Sequence, residues 1–440
     1  MTPDPGTHMH ALCAELFPLP RSITGAGFRQ SLQILRRFLP AMQVHEVPSG
    51  TKVFDWEVPR EWVIRDAYIL APDGTKIVDF RRNNLQVVGY STPVDALLPL
   101  DELQEHLYSL PEQPEAIPYI TSYYKERWGF CLAHTQRQAL APGLYRVKID
   151  SDLIQGSLTY GELVIPGQSA REVFFSTYLC HPSMANNELS GPVVNTFLAQ
   201  WIAALPQRRY TYRFVFIPET IGSITYLSRN YRALQQAVAA GFNITCIGDE
   251  RAYSYLPSRQ GDTLADRAAK HALKHLHPEY TAYTYLDRGS DERQYCSPGI
   301  DLPLCSLMRS RYQVYPEYHT SLDDLNLVTP SGLAGSLELL QKVVECLELD
   351  ETLRPTVLCE PQLGKRGLYP TLSTKQSAGL VKAMMNYLGY VDGKTSNLQI
   401  AEKINLPLCR RYGITRLENA SSWNWTAPWL SWTMKWMQGN

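Results

Sequence analysis

EVFFSTYLCHPSMANNELSGPVVNTFLAQWIAAL, residues 172–205, is the stretch on which the fold turns. EVFFSTYL is a near-continuous apolar run without period-two alternation, the texture of a strand covered on both faces. A polar loop follows and ends in Ser-Gly, and then GPVVNTFLAQWIAAL has the texture of a helix. His181 lies where the run gives way to the loop. That is where a metal ligand at the end of a buried strand belongs.

Outward from this stretch, residues 158–350 repeat the same alternation. TYRFVFI and ITCIG are further buried-strand candidates, and SITYLSRNYRALQQAVAA and TLADRAAKHALKHL are helical stretches. The alternation predicts an α/β fold: a mixed, largely parallel sheet flanked by helices. Residues 44–150 differ, with PSG, APDG, VVGY and APGLYRVKI marking turns among strand formers, so a mostly β unit is expected there. Residues 22–39 are expected as a helix, with Ser22 or Thr24 as N-cap. The tail from 361 carries ten basic and three acidic residues, a net +7. NLQIAEKINLPLCRRYGITRLENA outlines two short helices around a turn, as in a helix-turn-helix. No physical account is found for the tryptophan-rich SSWNWTAPWLSWTMKWMQGN that ends the chain.

With 440 residues, two or three domains are expected. The net charge of −1 gives the whole chain no general pull toward nucleic acid or anionic membrane. No apolar stretch is long enough to span a bilayer, and the N-terminus lacks the basic-then-apolar pattern of a secretory signal. Nine scattered cysteines without a C-x-x-C pair suit reduced thiols in a cytoplasmic protein.

Chemistry is expected at the strand ends. His181 follows VFFSTYLC, Glu219 follows YRFVFIP, Asp249 and Glu250 follow ITCIG, and His319 lies in EYHTSLDDL. Histidine and carboxylate ligands suit zinc, which lowers the pKa of a bound water to about 7 for a nearby glutamate to deprotonate. Glu219 is the candidate base. Each residue also has a plainer reading: a structural histidine, a helix N-terminal acid, a turn residue, a surface-loop histidine. Their joint placement at successive strand ends favours a site. His271 and His275 stand i, i+4, but Ala272 occupies the place of a zinc-protease glutamate, so HALKH is expected to be a surface helix. Cys180 and His181 are expected to point to opposite faces as neighbours in a strand.

The order H…A-N-x-x-x-S-G…E…D…S-D…Y-H-T is similar to that of co-catalytic zinc aminopeptidases of the bacterial leucyl aminopeptidase type. More closely, the chain resembles a bacterial aminopeptidase-like branch often found with polysaccharide-biosynthesis genes. LFPLPRSITG, EVPSGTKVFDWEVPREWVIRDAYI, IPYITSYYKERWGFC, GSDERQYCSPG, YPEYHTSLDDL and CEPQLGKRGLYPTLS carry that resemblance, which spans nearly the whole chain. It implies an aminopeptidase-like core of residues 1–45 and 155–355, an inserted small β-rich domain at 46–154 and a winged-helix domain at 356–440. Carried over, His181, Asp249 and His319 match metal ligands, Glu219 matches the general base, and Ser290-Asp291 match a motif near the substrate pocket. Two positions depart from the two-metal pattern. Asn187 stands where a bridging aspartate belongs, with Glu188 after it as the alternative carboxylate, and Thr220 stands where a second carboxylate belongs. Asparagine offers a neutral carbonyl oxygen, and two cations need carboxylates to neutralise their repulsion. One zinc per chain is therefore expected, held by His181, Asp249 and His319 with Asn187 as a weaker donor. Glu250, Arg251, Asp291, Glu292 and Arg293 are expected to contact an amide-bearing small-molecule or peptide-like substrate. The alternative is a binding protein that keeps the fold and has lost the chemistry. Nucleic-acid binding by the tail is not favoured over packing, no membrane partner is expected, and a homodimer is the base-rate expectation.

Overall fold

The computed structural model describes residues 4–123, 125–366 and 375–408. The chain divides into two compact units, Met1–Asp266 with Glu279–Glu338, and Arg267–Pro278 with Leu339–Asn440.

The first unit is built on an eight-stranded mixed sheet. Its spatial order is Gln43–Pro48, Ser157–Ile165, Thr211–Ile217, Glu172–Tyr178, Val238–Ile244, Leu304–Met308, Ser254–Leu256, Thr281–Ala282. The four strands from Thr211–Ile217 to Leu304–Met308 are mutually parallel, and antiparallel pairings flank them. Every residue of Glu172–Tyr178 is buried, as the apolar run predicts. Its two hydroxyls are satisfied: Ser176 pairs with the Tyr295 hydroxyl at 2.8 Å, and Thr177 donates to the Ile244 carbonyl at 2.8 Å. From this strand the chain passes to Thr211–Ile217 on one side and then to Val238–Ile244 on the other. The connection therefore reverses direction at Glu172–Tyr178, and the crevice of an α/β sheet opens outside the carboxyl ends at such a reversal. His181 is three residues beyond that end.

The Ser-Gly that closes the loop has a geometric cause. Ser190 begins the helix Ser190–Ala203, donates to the Asn186 carbonyl at 2.5 Å and accepts the Ile247 amide at 2.8 Å. A Cβ on Gly191 would come within 2.3 Å of the Ile244 carbonyl oxygen, so only glycine lets the helix start this close to the sheet.

Three local expectations are corrected. The strand assigned to ITCIG is Val238–Ile244, because the preceding helix stops at Ala237 and Gly241 packs on Leu304 of the neighbouring strand. The helix expected over 22–39 spans Ala26–Arg36, and its N-cap is Gly25, at φ 100°. Thr24 instead shares a 2.6 Å hydrogen bond with the Tyr90 hydroxyl. HALKH lies on a helix, but His271 is buried and its Nε2 accepts the Leu408 amide at 2.9 Å, so it is a satisfied structural histidine.

A four-stranded antiparallel sheet, ordered Lys76–Asp79, Glu61–Leu70, Leu144–Ile154, Val94–Pro99, occupies the stretch expected to be β-rich. Farther along that stretch, residues 117–119 pair with the loop that carries His319. Tyr119 N donates to the His319 carbonyl at 2.9 Å, Ser321 N donates to the Ile117 carbonyl at 2.9 Å, and Ile117 N donates to Ser321 Oγ at 3.0 Å.

The second unit contains the helices Lys375–Leu388 and Asn397–Ile404. Ser396 caps the latter in a capping box with Gln399, and left-handed Asn405 ends it. Leu353, Tyr387, Val391 and Ile400 form its core cluster. The second helix expected in NLQIAEKINLPLCRRYGITRLENA and the tryptophan-rich stretch after it lie outside the described residues. Among the described residues, no helix is long and apolar enough to cross a membrane.

Candidate functional site

His181 is buried, and its two ring nitrogens face different surroundings. Nδ1 is in direct contact with the carboxylate of Glu188 and lies 3.3 Å from Cys180 Sγ. Nε2 is 3.6 Å from Glu219 Oε2. The approach of Cys180 corrects the expectation that the two neighbours point apart. That expectation assumes both lie in the strand, and the strand ends at Tyr178. Burial, then the nearby Arg21 charge, push the imidazole down to about 3, so it is neutral at ordinary pH.

Glu219 follows Thr211–Ile217, and its amide donates to Cys180 Sγ at 3.3 Å. Burial, then the neighbouring Asp291 and Glu188 carboxylates, hold it well above the usual carboxylate range. Thr220, at φ 61° and ψ −76°, turns the chain into the next helix. Its amide donates to Asp291 Oδ1 at 2.7 Å, and Ser223 Oγ donates to the same oxygen at 2.8 Å. Asp291 Oδ2 is buried without a hydrogen-bond partner, and burial pushes this carboxyl up to about 7.

His319 sits at φ 57°, a left-handed conformation that non-glycine residues adopt seldom. The pairing with residues 117–119 holds it there. Its ring stacks on Tyr318 at 3.9 Å, and its centroid is 5.2 Å from that of His181. Tyr119 packs against both imidazoles, at 4.5 and 5.1 Å, and shares a 2.9 Å hydrogen bond with the Tyr123 hydroxyl. Burial, then His181, hold His319 well below its ordinary pKa, and its Nε2 is buried without a hydrogen-bond partner. Asn187 Oδ1 is likewise buried and unpartnered.

Other residues expected at the site are tied into the surrounding scaffold. Asp249 accepts Arg251 N at 2.9 Å and Ser310 Oγ at 2.8 Å on one oxygen, and Asn186 Nδ2 at 3.1 Å and Ser310 N at 2.9 Å on the other. Glu292 is buried and accepts Gly289 N, Ser290 N and the Tyr312 hydroxyl at 2.6–2.9 Å, which shapes the loop before Asp291. Glu250 accepts the hydroxyls of Thr329 and Ser331. Arg251 forms a two-pronged pair with Glu317 at 2.7 and 2.8 Å. Arg293 donates to the Ser290 carbonyl at 3.1 Å and to Thr220 Oγ1 at 3.3 Å, beside Glu219.

The sequence reading missed Asp323, Arg21, Tyr119 and the contact of Glu188 with His181. Asp323 accepts the amides of Ala185 and Asn186 on one oxygen, and the Asn187 amide and the Tyr315 hydroxyl on the other. Arg21 is buried and donates to the Leu16 and His181 carbonyls. Among the described residues, one group of histidine, cysteine and acidic side chains has its donor atoms within 4.8 Å of one another: Cys180, His181 and Glu188.

This largely parallel sheet, with histidines and carboxylates gathered beyond its strand ends, is an aminopeptidase-like α/β scaffold. A zinc aminopeptidase from Bacillus subtilis shares it at TM-score 0.54 and 13% identity, over 78% of this chain and 95% of that one. A peptidase M28 precursor from Shewanella amazonensis does so at TM-score 0.55 and 12% identity, over 81% and 95%. The crystal structure of a "putative peptidase" from Clostridium acetobutylicum matches at TM-score 0.86 and 44% identity, over 92% of both chains. A protein of that organism, "Putative polysaccharide biosynthesis protein with aminopeptidase-like domain", is 45% identical over 407 residues, 92% of this chain and 93% of its own. The chain belongs to the family described as Domain of unknown function (DUF4910), whose model matches residues 10–350, and a winged helix-turn-helix model matches residues 351–421.

Proposed function

We propose that this chain is a zinc-dependent amide hydrolase of the aminopeptidase type, with one metal ion and Glu219 as general base. The observation that carries the reading is the pairing of two neutral imidazoles, buried His181 and half-buried His319, with a carboxylate 3.6 Å from His181 Nε2. Neutral imidazole and carboxylate are the donors zinc takes, and the unpartnered His319 Nε2 and Asn187 Oδ1 are buried polar atoms that a cation would satisfy. His181 and His319 would hold the ion, with Asn187 as a weaker donor. When bound, zinc would supply a Lewis acid and a water of lowered pKa. Glu219, held above the usual carboxylate range, would accept that proton and return it to the leaving amine. Asp249, with both oxygens engaged, would brace the loop. Neutral Asn187 and Thr220 at two positions where a second cation needs charge support a single ion.

Arg293, at the rim beside Glu219, suits a substrate with a carboxylate or other anion near the scissile amide. The name of the Clostridium relative makes amides on sugars worth testing beside peptides. Eight free cysteines among the described residues, seven of them buried, agree with a cytoplasmic setting. The test is metal content per chain in the protein purified without added zinc, followed by turnover on peptide amides and N-acylated sugars. About one zinc with turnover abolished by chelator supports the reading. A chain that neither holds nor can be loaded with metal and turns over no amide would be a binding protein on the same scaffold.

A further inference from the structure

Cys180, Glu188 and Nδ1 of His181 form one cluster, and Nε2 of the same ring faces another. Only one face of an imidazole can serve a given metal. Three observations discriminate between them. Nδ1 and the Glu188 carboxylate are in direct contact, whereas two ligands of one tetrahedral zinc stand about 3.3 Å apart at bond lengths near 2 Å. The buried Arg21 guanidinium donates to the His181 carbonyl at 3.0 Å and acts on Glu188 and Cys180, and a fixed cation beside that pair opposes a second. Nε2 instead lies 3.6 Å from Glu219 Oε2, and the His319 ring, whose own Nε2 is buried without a partner, has its centroid 5.2 Å from that of His181.

We infer that Glu188 is a positioning residue: it accepts the Nδ1 proton of His181, turns Nε2 toward His319 and Glu219, and with Arg21 keeps the cation and the Cys180 thiol apart. This rests on the metal-dependent reading above and assigns the face of that site. Ligating histidines commonly give their second nitrogen to a carboxylate, which fixes the tautomer. Here the partner lies in the loop seven residues downstream. Glu188 has no exposure, so its carboxylate is available to His181 and not to solvent. Burial pushes Glu188 up to about 8, and the Arg21 charge opposes that rise while its other donor reaches the Leu16 carbonyl.

The test uses the full-length, metal-free protein titrated with cobalt(II), read by visible absorption and affinity, with circular dichroism to confirm folding. Wild type is expected to bind cobalt without a thiolate-to-metal charge-transfer band. Cys180→Ser is expected to leave spectrum and affinity within about twofold, and Glu188→Leu to weaken binding about 10- to 100-fold. Glu188→Gln, whose amide oxygen still accepts the Nδ1 proton, should fall between them. A thiolate band that disappears in Cys180→Ser would overturn the inference while leaving the metal-dependent reading intact. Wild-type affinity in a folded Glu188→Leu would overturn it too. If Glu188→Leu fails to fold, Glu188→Gln and Cys180→Ser decide by the same criteria. Failure of wild type to bind cobalt, nickel or zinc would remove the metal-dependent reading itself, and the inference with it.

Discussion

The backbone amide of Asn187 donates to Asp323 Oδ2 at 3.0 Å across 136 residues of sequence. Asp323 also takes the amides of Ala185 and Asn186 and lies four residues beyond His319. One carboxylate thus ties the His181 loop to the His319 loop. Burial pushes Asp323 up to about 7, so each of its hydrogen bonds is worth about 0.5–3 kcal/mol, and Asp323→Ala removes four, which do not add fully. A loss of at least ~3 kcal/mol is expected, measured by urea unfolding of the metal-free protein, together with loss of bound metal. Full stability and metal content in this variant would show that the loop is held elsewhere.

Glu219→Gln keeps the shape of the site and removes the proton acceptor. General-base catalysis contributes about 10²- to 10⁴-fold, so kcat should fall by that factor on any amide substrate found, with metal content unchanged. Intact turnover would remove Glu219 from the mechanism.

Arg293→Met is expected to raise KM about 10- to 100-fold for substrates carrying an anion near the amide and to leave neutral substrates nearly unchanged, the loss of one charge-assisted contact of about 1.5–3 kcal/mol. The comparison of kcat and KM across an acidic and a neutral substrate pair is the measurement. Equal effects on both would assign Arg293 to the support of Thr220 and Ser290 alone.

Glu61 supplies a pH-dependent element of stability. Burial raises its pKa, but Arg29, at 2.5 and 3.1 Å, and the Ser157 amide, at 3.2 Å, bring it net below the ordinary value. A carboxyl lowered on folding stabilises above its unfolded pKa, near 4.5, and loses that contribution as pH falls through the lower folded value. Arg29→Met should reduce stability by about 1.5–3 kcal/mol at pH 7 and shrink that difference in acid. Thermal unfolding midpoints of both proteins from pH 7 down to pH 3 read it, and a constant difference across the range would sink the assignment.

The sheet was legible where burial is two-sided: EVFFSTYL and TYRFVFI announce themselves because both faces must be apolar. VAAGFNI escaped because its first residues extend the apolar pattern of the preceding helix, and its true start depends on Gly241 meeting Leu304. Placement of His181, Glu219 and His319 near one another was readable from strand ends. Their supports were not. Glu188 reaches His181 only through an irregular loop, Asp323 looks like any acid in SLDDL, and Tyr119 joins the histidines through a pairing of distant segments. Periodicity carries no information about such contacts.

The pairing of residues 117–119 with 319–321 bears on when the site comes into being during synthesis. Ile117 N waits for Ser321 Oγ, 204 residues later, and His319 reaches its left-handed conformation only against that partner. A nascent chain can complete the four-stranded sheet and still lack the second imidazole. Competence is therefore a late event of folding, reached only after residue 321 has left the ribosome.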